Sequence, residues 1–130
     1  MQAFHMRSKW PGFRRSGNER SSTWRGQLRP HELSPAYEVS VQYTTPKWPK
    51  VRVLTPAINP KAPHLFPDKT LCLYWPEEWQ WHAYRLLADT ILPWAALWLY
   101  FYELWLATGE WLGPSAPHAP QGKDQGRQRP

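Results

Sequence analysis

Proline interrupts this chain so often that a long helical array has no room to form. Fifteen prolines are spread over 130 residues, and inside a helix each would remove a backbone donor and clash with the preceding turn. Ten tryptophans work in the other direction: each buries a large apolar area, so a core can be assembled from few residues. The length suits one compact domain and not two.

Between the prolines the apolar residues follow two periods. Tyr37 to Tyr43 (YEVSVQY) places Tyr, Val, Val and Tyr on one face and Glu, Ser and Gln on the other, the alternation of a half-buried strand. Val51 to Leu54 (VRVL) alternates again and stops at Thr55-Pro56, while Trp24 to Pro30 (WRGQLRP) is a short first strand ended by its proline. Thr44 to Pro49 is a proline-bearing turn. These pieces predict an antiparallel meander of three or four short strands. Residues 55–70 carry Pro56, Pro60, Pro63 and Pro67 and form a long loop; loops of this size within a compact domain are usually functional or disordered. The pattern then turns helical, with Thr90 or Asp89 as N-cap, Pro93 in the first turn and Gly109 as C-cap. The resulting class is α+β, a small meander with a Trp-rich helix packed on it. Residues 1–22 look like a tail or a loosely attached strand, with no helix apparent, and 114–130 are low-complexity, polar and expected to be disordered.

The formal charge of +6 is uneven. Arg7, Lys9, Arg14, Arg15, Arg20, Arg25 and Arg29 precede or adjoin Pro30, opposed only by Glu19. Two readings stand: a basic arm that meets an acidic surface, or a solvated terminus. No nucleic-acid-binding motif accompanies the charge, so no nucleic-acid partner is expected. A single cysteine excludes a disulfide framework and a cysteine-rich zinc site, and His5, His31, His64, His82 and His118 lack the close spacing of a metal-binding pair; neither metal nor cofactor is expected. MQAFHMRSKW lacks the apolar run of a secretory signal, and a cytoplasmic, reducing home is the expectation. Ile91 to Ala107 (ILPWAALWLYFYELWLA) raises the membrane question, but it is short of the roughly 20 apolar residues of a span and holds Pro93 and Glu103. A buried helix is expected there, with Trp94, Trp98 and Trp105 either as core or as a partner-docking face.

The residues that carry chemistry lie in Ala62 to Leu73 (APHLFPDKTLCL). A lone cysteine is more often packing than nucleophile. Here it ends a proline-rich loop that contains a histidine, and sits between leucines on a short extended piece. This stretch resembles ubiquitin-conjugating (E2) enzymes, in which a His-Pro-Asn tripeptide, an Asp-Gly turn and an Ile-Cys-Leu segment follow in that order. Ala62-Pro63-His64 falls at the tripeptide, Asp68-Lys69 at the turn, and Leu71-Cys72-Leu73 at the catalytic cysteine. Trp79 or Trp81, followed by Ala88-Asp89-Thr90-Ile91, is similar to that family's tryptophan before a helix. LCLYWP together with ADTILPWAALWLYFYELWLATGEWLG looks closer still to the short E2-like proteins of bacterial CBASS antiphage operons, over Trp24 to Gly113.

The resemblance implies a UBC-like fold and, with the composition of the chain's ends, a division into a basic arm 1–22, an E2-like domain 23–113 and a disordered tail 114–130. It implies that Cys72 holds the C-terminus of a cGAS-like nucleotidyltransferase as a thioester and passes it to an acceptor amine. His64 stands where the family has Asn, and two roles are open to it. It can donate to an oxyanion or act as a base, or it can be a structural loop residue. Lys69 replaces the turn glycine in a left-handed position. The competing readings are a non-catalytic E2-like binding module and a small protein anchored by residues 91–107.

Overall fold

The structure, a computed structural model, describes residues 2–44, 47–73 and 85–113. Tyr74 to Pro76, Trp79, Trp81 and the low-complexity tail 114–130 lie outside the described residues, as do two positions of the turn after Thr44.

Four antiparallel strands make one sheet in sequence order: β1 (Arg14–Gly17), β2 (Ser21–Leu28), β3 (Tyr37–Thr44) and β4 (Lys50–Thr55). The predicted alternation holds. Tyr37, Val39 and Val41 of β3 are buried, as are Ser22, Trp24 and Leu28 of β2 and Val51 of β4. The register brings these inward positions together, Trp24 facing Val41, Leu28 facing Tyr37, and Val41 facing Val51, with an irregularity at Glu38/Val39. One inward position of β2 has no side chain. A Cβ on Gly26 would lie 2.6 Å from the Phe13 ring, so glycine is what lets Phe13 close that end of the core.

WRGQLRP belongs to the second strand, not the first, and residues 2–17 are not a loose arm. They form helix α1 (Gln2–Lys9) and edge strand β1. Within α1 only Met6 is buried, too little apolar periodicity to be visible in the sequence. Polar contacts with a distant segment hold the helix instead. Gln2 Nε2 donates to the Arg85 carbonyl and Gln2 Oε1 accepts from Leu87 N–H, both at 2.9 Å. Trp10 Nε1 donates to the Ala88 carbonyl at 3.0 Å, and Lys9 pairs with Asp89.

A 3-10 turn (Leu87–Asp89) leads into helix α2 (Ile91–Thr108). Thr90 is the N-cap, but its hydroxyl turns back to the Leu86 carbonyl at 2.8 Å and does not cap the helix. Pro93, third in the helix, needs no intrahelical donor there. Gly109 adopts φ 82° and donates its N–H to the Trp105 carbonyl at 2.8 Å, a left-handed stop that glycine takes without Cβ strain. Ile91, Leu92, Ala95, Trp98, Leu99 and Tyr102 form the inner face and share one core with the sheet. Among the described residues no helix is long and apolar enough to cross a membrane.

Glu103, the lone acid of α2, is committed to the sheet side. Its carboxylate accepts from the hydroxyls of Ser34 and Tyr37, both at 2.7 Å. Burial, and then the bond to Glu103, push the Tyr37 phenol well above its ordinary range. Glu103→Leu removes the acceptor from two buried hydroxyls, and an unmet buried polar group costs about 1–3 kcal/mol. Urea titration is expected to show a stability loss of that order with an unchanged slope; an unchanged midpoint would contradict this role.

Candidate functional site: an aromatic groove beside Cys72

The loop before the cysteine is built on Asp68. Phe66, Pro67, Asp68 and Lys69 form a turn closed by Lys69 N–H to the Phe66 carbonyl at 2.8 Å, and Phe66 N–H meets the Thr70 carbonyl at 2.9 Å. Leu65 and Leu71 bridge across it. Lys69 sits at φ 72°, the left-handed position that completes a three-residue hairpin loop and that glycine favours. The Asp68 carboxylate accepts from the Thr70 hydroxyl and N–H and pairs with Lys50 Nζ at 3.0 Å. The Thr70 bonds above all, with help from Lys50, hold this carboxyl far below the usual carboxylate range. The Asp68 carbonyl accepts from Arg52 at 3.2 Å. Leu71 N–H then donates to the Val51 carbonyl at 2.8 Å, so the cysteine segment runs beside β4.

His64 and Cys72, singled out from sequence, are brought together through the backbone. The His64 carbonyl accepts from Cys72 N–H at 2.9 Å and from Trp98 Nε1 at 3.1 Å. His64 itself has φ 61°, a left-handed conformation in which histidine is enriched over most residues. Its ring lies 5.1 Å from that of Trp111, centre to centre.

Cys72 and Leu73 form one wall of a groove of about 380 Å³. The other wall is α2, through Trp94, Leu97, Trp98 and Phe101, which fall at i, i+3, i+4 and i+7 on one helix face. Trp111 returns beyond the helix to close the end, and Arg85 also lines the groove. The His64 ring is not part of the lining; it packs behind Trp111. Trp98 is buried and stacks on Tyr102 at 5.4 Å and 12°, so it is core and groove wall at once. Trp94 and Trp105 are half-buried against the core. Leu97, Phe101, Trp111 and Arg85 were not singled out from sequence. The first two share the helical spacing of Trp94 and Trp98, which is the signal that finds them; Arg85 has no comparable mark.

Burial pushes the Cys72 thiol up to about 12. Such a group is almost wholly protonated at neutral pH, whereas the thiolate is the nucleophile. The rise from 9.0 to about 12 cuts the thiolate fraction about a thousandfold, and the greater basicity of each thiolate returns only about twentyfold. Iodoacetamide is therefore expected to alkylate the folded chain on the order of 50-fold more slowly at pH 8 than the urea-unfolded chain. The folded rate is expected to keep climbing with pH beyond 9; levelling near pH 9 would contradict the buried-thiol account. With Cys72 the sole cysteine, the label reports on that site alone.

No curated protein matches the chain. A family model described as Type II CBASS E2 protein matches residues 2–119, a range that includes α1, the sheet, the cysteine loop and α2. That range covers most of the chain, and this protein accordingly belongs to the Type II CBASS E2 family, E2-like proteins of bacterial CBASS antiviral defence.

Proposed function

We propose that this chain is a protein-conjugating transferase with a UBC-like fold that works through Cys72. The observation that carries the reading is the placement of the sole cysteine, tied by its backbone to His64, at the wall of an aromatic groove in a Type II CBASS E2 protein. The Cys72 thiolate attacks the carbonyl carbon of an activated protein C-terminus, an acyl adenylate or another thioester. The S–C bond forms as the leaving group departs with its electron pair. An acceptor amine then attacks the same carbon, the C–S bond breaks, and sulfur leaves as thiolate and regains a proton. A thiol of high pKa is a reluctant leaving group, so the thioester persists in the groove until the acceptor is aligned. The donor in this reading is the C-terminus of a cGAS-like nucleotidyltransferase, and the transfer primes antiviral signalling. His64 serves the site by fixing Cys72 through its carbonyl.

A second reading has a specific observation in its favour. The desolvation of the half-buried thiol suits a cysteine that only packs, in an E2-like module that binds its partner without reacting. Co-expression with the neighbouring nucleotidyltransferase separates the two by intact mass and non-reducing gels. A transferase is expected to give an adduct that thiol reductant removes. Cys72→Ser is expected to abolish it or to replace it with a reductant-resistant ester. Co-purification of the two wild-type proteins with no adduct would establish the binding module instead.

A further inference from the structure

The groove beside Cys72 is lined by an arginine without a counter-charge among the described residues. Lys9, Arg25 and Lys50 pair with Asp89, Glu38 and Asp68. Arg85 is half-buried against the groove, yet its guanidinium has no hydrogen bond or ion pair among the described residues; only its backbone carbonyl is engaged, by Gln2. A half-buried arginine whose guanidinium donors meet no acceptor among the described residues favours an anion. A carboxylate is the anion that meets two of those donors in one plane.

The backbone that presents this arginine is held on both sides. The Gln2 side-chain amide donates to the Arg85 carbonyl and accepts from Leu87 N–H. Helix α1 therefore fixes the base of a long side chain, and a fixed base is what gives a charged group directional selectivity.

We propose that Arg85 is a specificity-determining residue that takes the α-carboxylate of a polypeptide C-terminus lying in the groove, with the apolar side chains of that terminus against Trp94, Trp98, Phe101 and Trp111. The proposal rests on the reading of Cys72 as the acceptor of a protein C-terminus. Charge complementarity selects the occupant. The main chain of an internal segment is neutral and leaves the guanidinium unmet, whereas a chain end carries a planar carboxylate. Arg85 thus sorts chain ends from internal segments at first docking, while the terminus is still a free carboxylate and before another agent activates it for attack by sulfur. Gln2 is the positioning residue behind it.

Binding, not reaction, tests this, so its outcome is separate from that of the adduct experiment. The full chain carrying Cys72→Ser is titrated with a peptide of about ten residues that copies the C-terminus of the neighbouring nucleotidyltransferase. It is used once with a free acid end and once as the C-terminal amide, and the groove tryptophans supply the fluorescence signal. The acid peptide is expected to bind at least tenfold more tightly than the amide. Arg85→Gln is expected to erase that difference by weakening the acid form alone, and Arg85→Lys to keep part of it as a point charge without the fork. Equal affinity of acid and amide would overturn the proposal, as would equal weakening of both by Arg85→Gln, or binding of neither. A dependence on Arg85 that vanishes only when an acidic side chain of the peptide is neutralised would assign the carboxylate to that side chain and overturn the α-carboxylate assignment. Discrimination without an adduct would leave Arg85 as the selectivity residue of a binding module; an adduct without discrimination would leave a transferase that reads its donor elsewhere.

Discussion

One carbonyl joins the three parts of the site. The His64 C=O accepts from Cys72 N–H and from the Trp98 indole, so the proline-rich loop, the cysteine segment and helix α2 meet at a single oxygen. A carbonyl has two lone pairs, and both are used here by groups from distant parts of the chain. The left-handed φ of His64 turns that carbonyl towards them. Upstream, Asp68 and its bonds to Thr70 and Lys50 set where the loop returns. Downstream, the buried Trp98 fixes the opposite wall of the groove through its stacking on Tyr102.

The same packing sets the chemistry of the thiol. A cysteine against apolar and aromatic walls loses the solvation that a thiolate needs, and its pKa rises accordingly. A neutral thioester pays no such desolvation penalty. In the proposed thioester reaction, the groove would therefore disfavour the charged forms of Cys72 that precede and follow acylation and tolerate the acylated form between them. Under the proposed function the site would act as a holder for an acyl group more than as a generator of nucleophiles, with activation of the incoming carboxyl left to another agent.

Much of the fold was legible because its signals are local. YEVSVQY and VRVL alternate, and both became strands with the expected inward faces. Gly109 stops α2 as its cap chemistry predicts, whereas Thr90 starts it at the expected position without its side chain capping the helix. The resemblance singled out His64 and Cys72 but not the backbone bond that joins them, and the left-handed turn at Lys69 followed from the glycine it replaces. What stayed hidden depends on partners far away in sequence. Helix α1 buries one residue and is held by Gln2, Lys9 and Trp10 reaching a segment about eighty positions downstream, for which no window of sequence gives a sign. Glu103 counted only as an interruption of an apolar run until the hydroxyls of Ser34 and Tyr37 were found on it. Arg85 was one basic residue among many; its meaning comes from the groove beside it.

The central claim, that a shared carbonyl pins Cys72 in place, is most directly tested by hydrogen exchange at the Cys72 amide, followed by NMR in the full chain and in Trp98→Phe, which keeps an aromatic ring and deletes the indole donor. The account expects the wild-type amide to exchange about as slowly as the amides of β3, through global opening, and the Trp98→Phe chain to exchange faster at Cys72 than the accompanying loss of global stability explains. Exchange at Cys72 as fast as in an exposed loop, or an unchanged rate in Trp98→Phe, would contradict it.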